Sequence, residues 1–162
     1  MPKEKKFLIA YFSHSGNTKT IAKTIQLQTG GDLFEIKPVN PYPKYYSMVA
    51  ERAQKEKSAD FKPPLLEKIG NLKDYDVIFV GTPVWWYTMA APLKTFLTEY
   101  DFTGKIVAPF CTHGGGGEAL TFTDVEKLLP GIKVTEGLSI YEDGEKGTLT
   151  EITNWIKKNH IE

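Results

Sequence analysis

The sequence predicts a three-layer α/β/α doubly wound sandwich, with helices covering both faces of a five-stranded parallel sheet. Three observations carry this reading. Runs 7–12, 77–80 and 106–111 are apolar without alternation, the pattern of strands buried on both faces. Runs 33–39 and 132–140 mix apolar with polar or charged residues and suit the two sheet edges. Amphipathic helical stretches separate the strands, and right-handed crossovers turn that alternation into a doubly wound sheet.

The elements follow in order. Strand one leads through Ser13-His14-Ser15-Gly16-Asn17-Thr18 into a helix beginning near Lys19. Its Ile21, Ala22 and Ile25 share a face, and Gly30-Gly31 is the stop. In strand two Phe34 and Ile36 alternate with Glu35 and Lys37; Pro38, lacking an N–H, suits an edge or a strand end. Residues 45–57 read as a heavily charged helix, and Pro63-Pro64 forces a break after it. Strand three is followed by a loop over 81–88 and a helix over 92–100, with Leu93, Phe96 and Leu97 on one side. Strand four runs into Thr112-His113 and four glycines. A helix over 118–129 then carries Leu120, Val125, Leu128 and Leu129 as a stripe and ends at Pro130-Gly131. Ile132-Lys133-Val134 and Leu138-Ser139-Ile140 form strand five. The helix over 148–159 packs through Leu149, Ile152, Trp155 and Ile156. No repeat, low-complexity tract or linker divides the chain, so residues 1–162 are expected to form one domain.

Composition narrows the chemistry. Lys and Arg total 20 against 20 Asp and Glu, so no broad basic field invites nucleic acid. Arg52 is the only arginine, which argues against chemistry needing an Arg clamp on phosphate or carboxylate. The single cysteine, Cys111, excludes an internal disulfide and a Cys-based metal cluster, and no metal is expected. Met1 to Lys6 run straight into a short apolar strand without a signal-peptide core. No apolar stretch approaches the roughly 18 residues that cross a bilayer. A cytoplasmic protein with no membrane partner is the expectation.

In an open parallel sheet ligands bind beyond the C-terminal strand ends, at the switch in strand order. Three such ends carry unusual sequences: Ser13–Thr18, the stretch from Gly81 through Thr82-Pro83-Val84-Trp85-Trp86-Tyr87 to Thr88, and Thr112-His113-Gly114-Gly115-Gly116-Gly117. Each has an ordinary use, as a helix cap, a core or interface aromatic pair, and a flexible tip. Their coincidence on consecutive central strands says more. The first offers backbone N–H groups and small hydroxyls to an anion, with no Arg and with Lys19 as its nearest fixed cation. Neutral donors suit a tightly kept cofactor better than a nucleotide being turned over. The second offers aromatic planes, and the third offers bare backbone to a polar ring edge. A planar ring with a phosphate tail needs all three.

These motifs make the chain resemble the short-chain flavodoxin-like FMN proteins nearly end to end. The resemblance rests on Ser13-x-Ser15-Gly16-Asn17-Thr18, on Pro83-x-Trp85-Trp86 with Pro92 following, and on Phe110-x-Thr112-x-Gly114-Gly115. It implies strand order 2-1-3-4-5, the flavodoxin order, and an uninterrupted final strand without the loop inserted in long-chain forms. It also implies that Ser13, Ser15, Asn17 and Thr18, with the backbone of His14 and Gly16, hold the FMN phosphate. Thr82, Pro83, Val84, Trp85, Trp86 and Tyr87 would pass along the isoalloxazine, with Trp85 or Trp86 beside it. Thr112, His113, Gly114, Gly115 and Gly116 would approach its pyrimidine end. His14 and His113 depart from the family's usual small polar residues; either a hydrogen bond to flavin or substrate or an exposed position fits them.

Rival chemistries lack their parts. A P-loop needs Gly-Lys-Ser/Thr after its glycines. A low-molecular-weight tyrosine phosphatase needs an Arg where Gly117 follows Cys111. A receiver domain wants acids where Phe12-Ser13 and Gly81-Thr82 stand, and Gly-x-Gly-x-x-Gly is missing after strand one. Cys111 reads as a buried core residue, and His160 as a solvated helix end. Tyr42, Tyr45 and Tyr46 either wall a cleft or anchor the second helix.

Two functions follow from the resemblance. In one, the protein is an NAD(P)H:quinone-type oxidoreductase whose FMN passes electrons from a reduced nicotinamide to a quinone-like acceptor, the residues placing the flavin rather than reacting. In the other, it is a one-electron carrier docking to redox partner proteins. Carriers of this type are strongly acidic, since complementary charge steers encounter. The balanced charge here favours the enzyme, although Glu142-Asp143-Glu145 leaves a local acidic patch. Oligomeric state is left open.

Overall fold

The computed structural model describes residues 4–161; Met1–Lys3 of the N-terminal lead, and Glu162, lie outside them. The chain runs β1 (Phe7–Tyr11), α1 (Asn17–Thr29), β2 (Asp32–Glu35), α2 (Tyr46–Ser58), β3 (Val77–Trp85) and β4 (Thr88–Met89). It continues through α3 (Ala91–Glu99), β5 (Ile106–His113), α4 (Thr121–Leu128), β6 (Lys133–Val134), β7 (Leu138–Tyr141) and α5 (Thr148–Lys158).

The sheet runs β2-β1-β3-β5-β6, with β7 also paired to β5. All these pairings are parallel; only β4 lies antiparallel, folded back on β3. With β6 and β7 sharing the fifth position, this is the expected 2-1-3-4-5 order. Ile9 stands opposite Leu33 on one side and Phe79 on the other, and Phe79 opposite Ala108, so the central register is continuous.

Alternation along the buried strands sends successive residues to opposite layers. Leu8, Ala10, Ile78, Val80 and Val107 pack against Leu93 and Phe96 of α3 and Val125 of α4. Ile9, Tyr11, Phe79, Ala108 and Phe110 pack against Ile21 and Ile25 of α1 and Ile152, Trp155 and Ile156 of α5. Strands one, three and four are thus buried on both faces, as their unbroken apolar runs predict.

Four expectations change in detail. β2 stops at Glu35, and its continuation leaves the sheet: Pro38 bridges Leu65 antiparallel, Val39 N–H bonds Pro64 O at 2.9 Å, and Leu66 N–H bonds Lys37 O at 2.8 Å. The fifth strand is not uninterrupted. Thr135 N–H still reaches Val107 O at 2.9 Å, but the Trp155 indole N–H takes Glu136 O at 2.8 Å. The Phe122 ring lies where a Cβ on Gly137 would stand, 2.4 Å from it, and the ladder resumes only at Leu138. Leu120 is 55% exposed because α4 starts one residue later, leaving it at the cap with its N–H on Tyr87 O. Leu149, in the first turn of α5, is 61% exposed; the buried face begins at Ile152.

Candidate functional site

The loops at the C-terminal end of the sheet meet in one cleft. Gly16 caps α1 at φ 102°, a left-handed value that favours glycine. Ser13 Oγ accepts the N–H groups of Gly16 and Lys19, each at 3.2 Å. Among the described residues the amides of Ser15, Asn17 and Thr18 have no hydrogen-bond partner. These are the free donors with which a helix start receives an anion. Thr18 is 1% exposed, its hydroxyl 2.7 Å from that of Thr112, which ties the first loop to the end of β5. His14 Nε2 donates to Pro43 O at 2.8 Å, and its ring stands edge-on to Trp85 at 6.0 Å.

The stretch read as a loop after strand three is largely strand. β3 continues to Trp85, pairing Pro83 with Thr112, and turns through Trp86 and Tyr87 into β4. Both turn residues have positive φ, 52° and 69°, as a two-residue primed hairpin requires. Thr82 is buried and structural here: its hydroxyl accepts Ala90 N–H at 3.0 Å and donates to Pro83 O at 2.8 Å. Trp85 is held edge-on between Phe12 at 5.4 Å and Tyr42 at 4.9 Å. The Trp86 indole N–H bonds Ala50 O at 2.8 Å, fastening the turn to α2.

Behind Trp85 the single arginine is fully engaged. Arg52 donates to Asn40 O and Pro41 O, each at 2.7 Å, lies over the Tyr42 ring at 3.9 Å, and faces Glu56 at 3.5 Å. Tyr42 donates to Glu56 Oε1 at 2.6 Å; burial, then that bond and the carboxylate charge, push its phenol well above the ordinary range. Tyr42 therefore braces the wall, whereas Tyr46 lines the cleft and Tyr45 stays exposed.

In the third loop His113 Nδ1 accepts the N–H groups of Gly115 at 3.0 Å and Gly117 at 3.2 Å, which places its ring proton on Nε2. The ring lies 6.0 Å from Tyr141. This side chain folds the glycine ribbon back on itself. Cys111, just below, is buried, and burial pushes its thiol up to about 12. Burial, with Glu35 second, also raises Tyr11 to about 12.

The cleft so formed measures about 670 Å³, within the range of cofactor sites. His14, Ser15, Asn17, Pro83, Val84, Trp85, Trp86, Tyr87, Thr112, His113, Gly114 and Gly116 line it. Ser13, Gly16, Thr18, Thr82 and Gly115 do not. Sequence reading left out Val49, Ala50 and Ala53 of α2, Lys44 before it, and Ala119 and Glu142 on the far rim. Only Tyr46, read with Tyr42 and Tyr45 as either a cleft wall or an anchor of the second helix, pointed to that wall. Lys44 and Glu142 give the rim one charge of each sign. Among the described residues no His, Cys, Asp and Glu group forms a metal site, and no helix is long and apolar enough to cross a membrane.

The fold and this cleft together define a flavodoxin-like α/β protein. A flavodoxin family model matches residues 6–159, and the chain belongs to that family. A solved chain from Bacteroides eggerthii superposes with a TM-score of 0.87 at 29% identity, covering 97% of this chain and 99% of that one. The structure of a Lactobacillus acidophilus flavoprotein in complex with FMN has a TM-score of 0.74 at 26% identity over 93% and 98% of the two chains. The NAD(P)H dehydrogenase (quinone) of Paracoccus denitrificans is 30% identical over 132 residues, 75% of this chain and 62% of that one. The chain spans under half the length of the curated flavodoxins it matches.

Proposed function

We propose that the cleft holds FMN, and that the chain works as one FMN-binding unit passing electrons from a reduced nicotinamide to a quinone-like acceptor. The observation that carries the cofactor reading is the set of unpartnered amides at Ser15 and Asn17, which line a cleft walled by aromatic rings and bare glycine backbone, with the unpartnered amide of Thr18 next in the chain. The residues present fit the group. Those amides and the Ser15 and Asn17 side chains would take the phosphate. Trp85, Trp86 and Tyr87 would flank the ring, and Gly114 to Gly116 would meet its polar edge. Bound there, FMN supplies hydride acceptance and the onward release of electrons. The chain's own work is placement: Ser13 shapes the phosphate loop, the Arg52–Tyr42–Glu56 cluster fixes Trp85, and His113 holds the glycine ribbon.

The balanced charge and the likeness to a quinone dehydrogenase support the enzyme reading. Glu142 on the rim, beside Asp143 and Glu145, and the likeness to flavodoxins support a carrier as the second reading. Anaerobic rapid mixing separates the two. Flavin absorbance bleached by NADH or NADPH and restored by a quinone is the expected result. A flavin that dithionite reduces but neither nucleotide touches would leave the carrier.

A further inference from the structure

One buried bond joins the first loop to the third. Thr18, the second residue of α1, is 1% exposed, and Thr112, near the end of β5, is 3% exposed; their hydroxyl oxygens lie 2.7 Å apart. Of the two, only Thr112 lines the cleft. The other threonines of α1 use their hydroxyls locally: Thr20, Thr24 and Thr29 each donate to the carbonyl four residues back. Among the described residues neither member of the pair has a second side-chain hydrogen bond. Those facts give the bond a direction. Each hydroxyl carries one proton, so one proton is spent between them and one is left over. Were Thr112 the donor, the leftover proton would be Thr18's, buried without an acceptor. An orphaned buried donor is tolerated less well than an idle lone pair. With Thr18 donating, the leftover proton belongs to Thr112, which has the cleft beside it.

We propose that Thr18 is a positioning residue for the ring end of the site: its hydroxyl donates to Thr112 and so fixes the Thr112 hydroxyl as a donor into the cleft, selecting a carbonyl-bearing ring edge. The inference rests on the FMN reading above and deepens it. The family resemblance implies a Thr18 side chain on the phosphate; here that side chain is spent on the other loop. It acts on the isoalloxazine through Thr112. A hydroxyl free to turn serves N–H and C=O groups alike. One that already accepts a proton from Thr18 favours carbonyl oxygens, which the pyrimidine end of the isoalloxazine carries.

Dissociation constants of FMN and riboflavin for the full chain, with Raman spectra of the bound flavin carbonyls, test this. Thr112→Val should weaken both flavins about tenfold and move a ring carbonyl stretch to higher frequency. Thr18→Val should weaken both by the same factor, about threefold, and move the same band in the same direction. Thr18→Ala carries the same expectation should the valine variant not fold. Thr18→Ser, which keeps the donor, should restore the native affinities and the native band. In the double variant of Thr18→Val and Thr112→Val the losses should not add, because Thr18 acts through Thr112. A Thr18→Val loss confined to FMN overturns the inference and puts that hydroxyl on the phosphate. So does a carbonyl band that neither Thr112→Val nor Thr18→Val moves, or a Thr18→Ser variant that rescues nothing. A native chain that binds neither flavin removes the FMN reading itself, and this inference with it.

Discussion

Ser13 shows at single-residue scale how the first loop works without fixed charge. Its oxygen accepts two backbone amides, so a neutral hydroxyl shapes the turn while the next amides stay free. Arg52, the one guanidinium, is committed to two carbonyls, an aromatic face and Glu56. The scarcity of arginine was readable from the sequence; what the lone arginine does was not, because its partners are backbone carbonyls brought near by α2. Cys111 makes a prediction at this scale. Its thiol ionises at about 12 in the folded chain against 9.0 when unfolded. The raised value means its contribution to stability is complete below the lower pH and lost as pH rises across that window. Denaturation midpoints should therefore fall with pH above about 9, less steeply in Cys111→Ala, with a remainder from Tyr11, Tyr42 and Tyr75, whose phenols are also raised by burial. The same burial should leave the native thiol silent to a disulfide reagent at neutral pH. Identical pH slopes in the two proteins would remove Cys111 from this account.

Among the elements, the β3–β4 hairpin departs most from sequence expectation. Hydrophobic runs locate strands where both faces are buried, so 77–80 was legible, but β3 continues past the helices as Gly81 to Trp85. Gly81 is part of the reason: a Cβ there would meet the Phe110 ring at 2.2 Å, so a side-chain-free residue keeps β3 and β5 paired. The turn carries Trp86 and Tyr87 where asparagine and glycine are favoured, at φ 52° and 69°. Left-handed backbone costs a non-glycine residue roughly 1–2 kcal/mol. Tyr87 is 67% exposed, so its side chain recovers little of that by burial. Tyr87→Gly should raise thermal stability, by up to about 1 kcal/mol after the entropy glycine loses on folding. It should also weaken flavin binding, since Tyr87 lines the cleft. A lower melting temperature in calorimetry would show that the turn is unstrained. Strained backbone of this kind concentrates at functional sites.

Across the whole molecule, the sheet sets the distances that matter. Parallel strands with crossovers on both faces bring three loops, separated by some hundred residues, to one end of β1, β3 and β5. That much was legible, because apolar runs, helix stops at Gly30 and the handedness of crossovers act locally and agree. The fourth wall was not. Val49, Ala50 and Ala53 read as the ordinary face of an amphipathic helix, and only packing turns them toward the cleft. Likewise Ser13, Thr18 and Thr82 were legible as loop residues, but their hydroxyls point into the scaffold, a direction no spacing encodes. In the function proposed above, uncharged donors of the first loop grip the phosphate of FMN. Its most direct test is to measure FMN and riboflavin affinities side by side in the native protein and in Ser15→Leu. The native protein should prefer FMN, and Ser15→Leu should lose most of that preference while riboflavin binding barely changes. Equal losses for both flavins would contradict it and place the phosphate elsewhere.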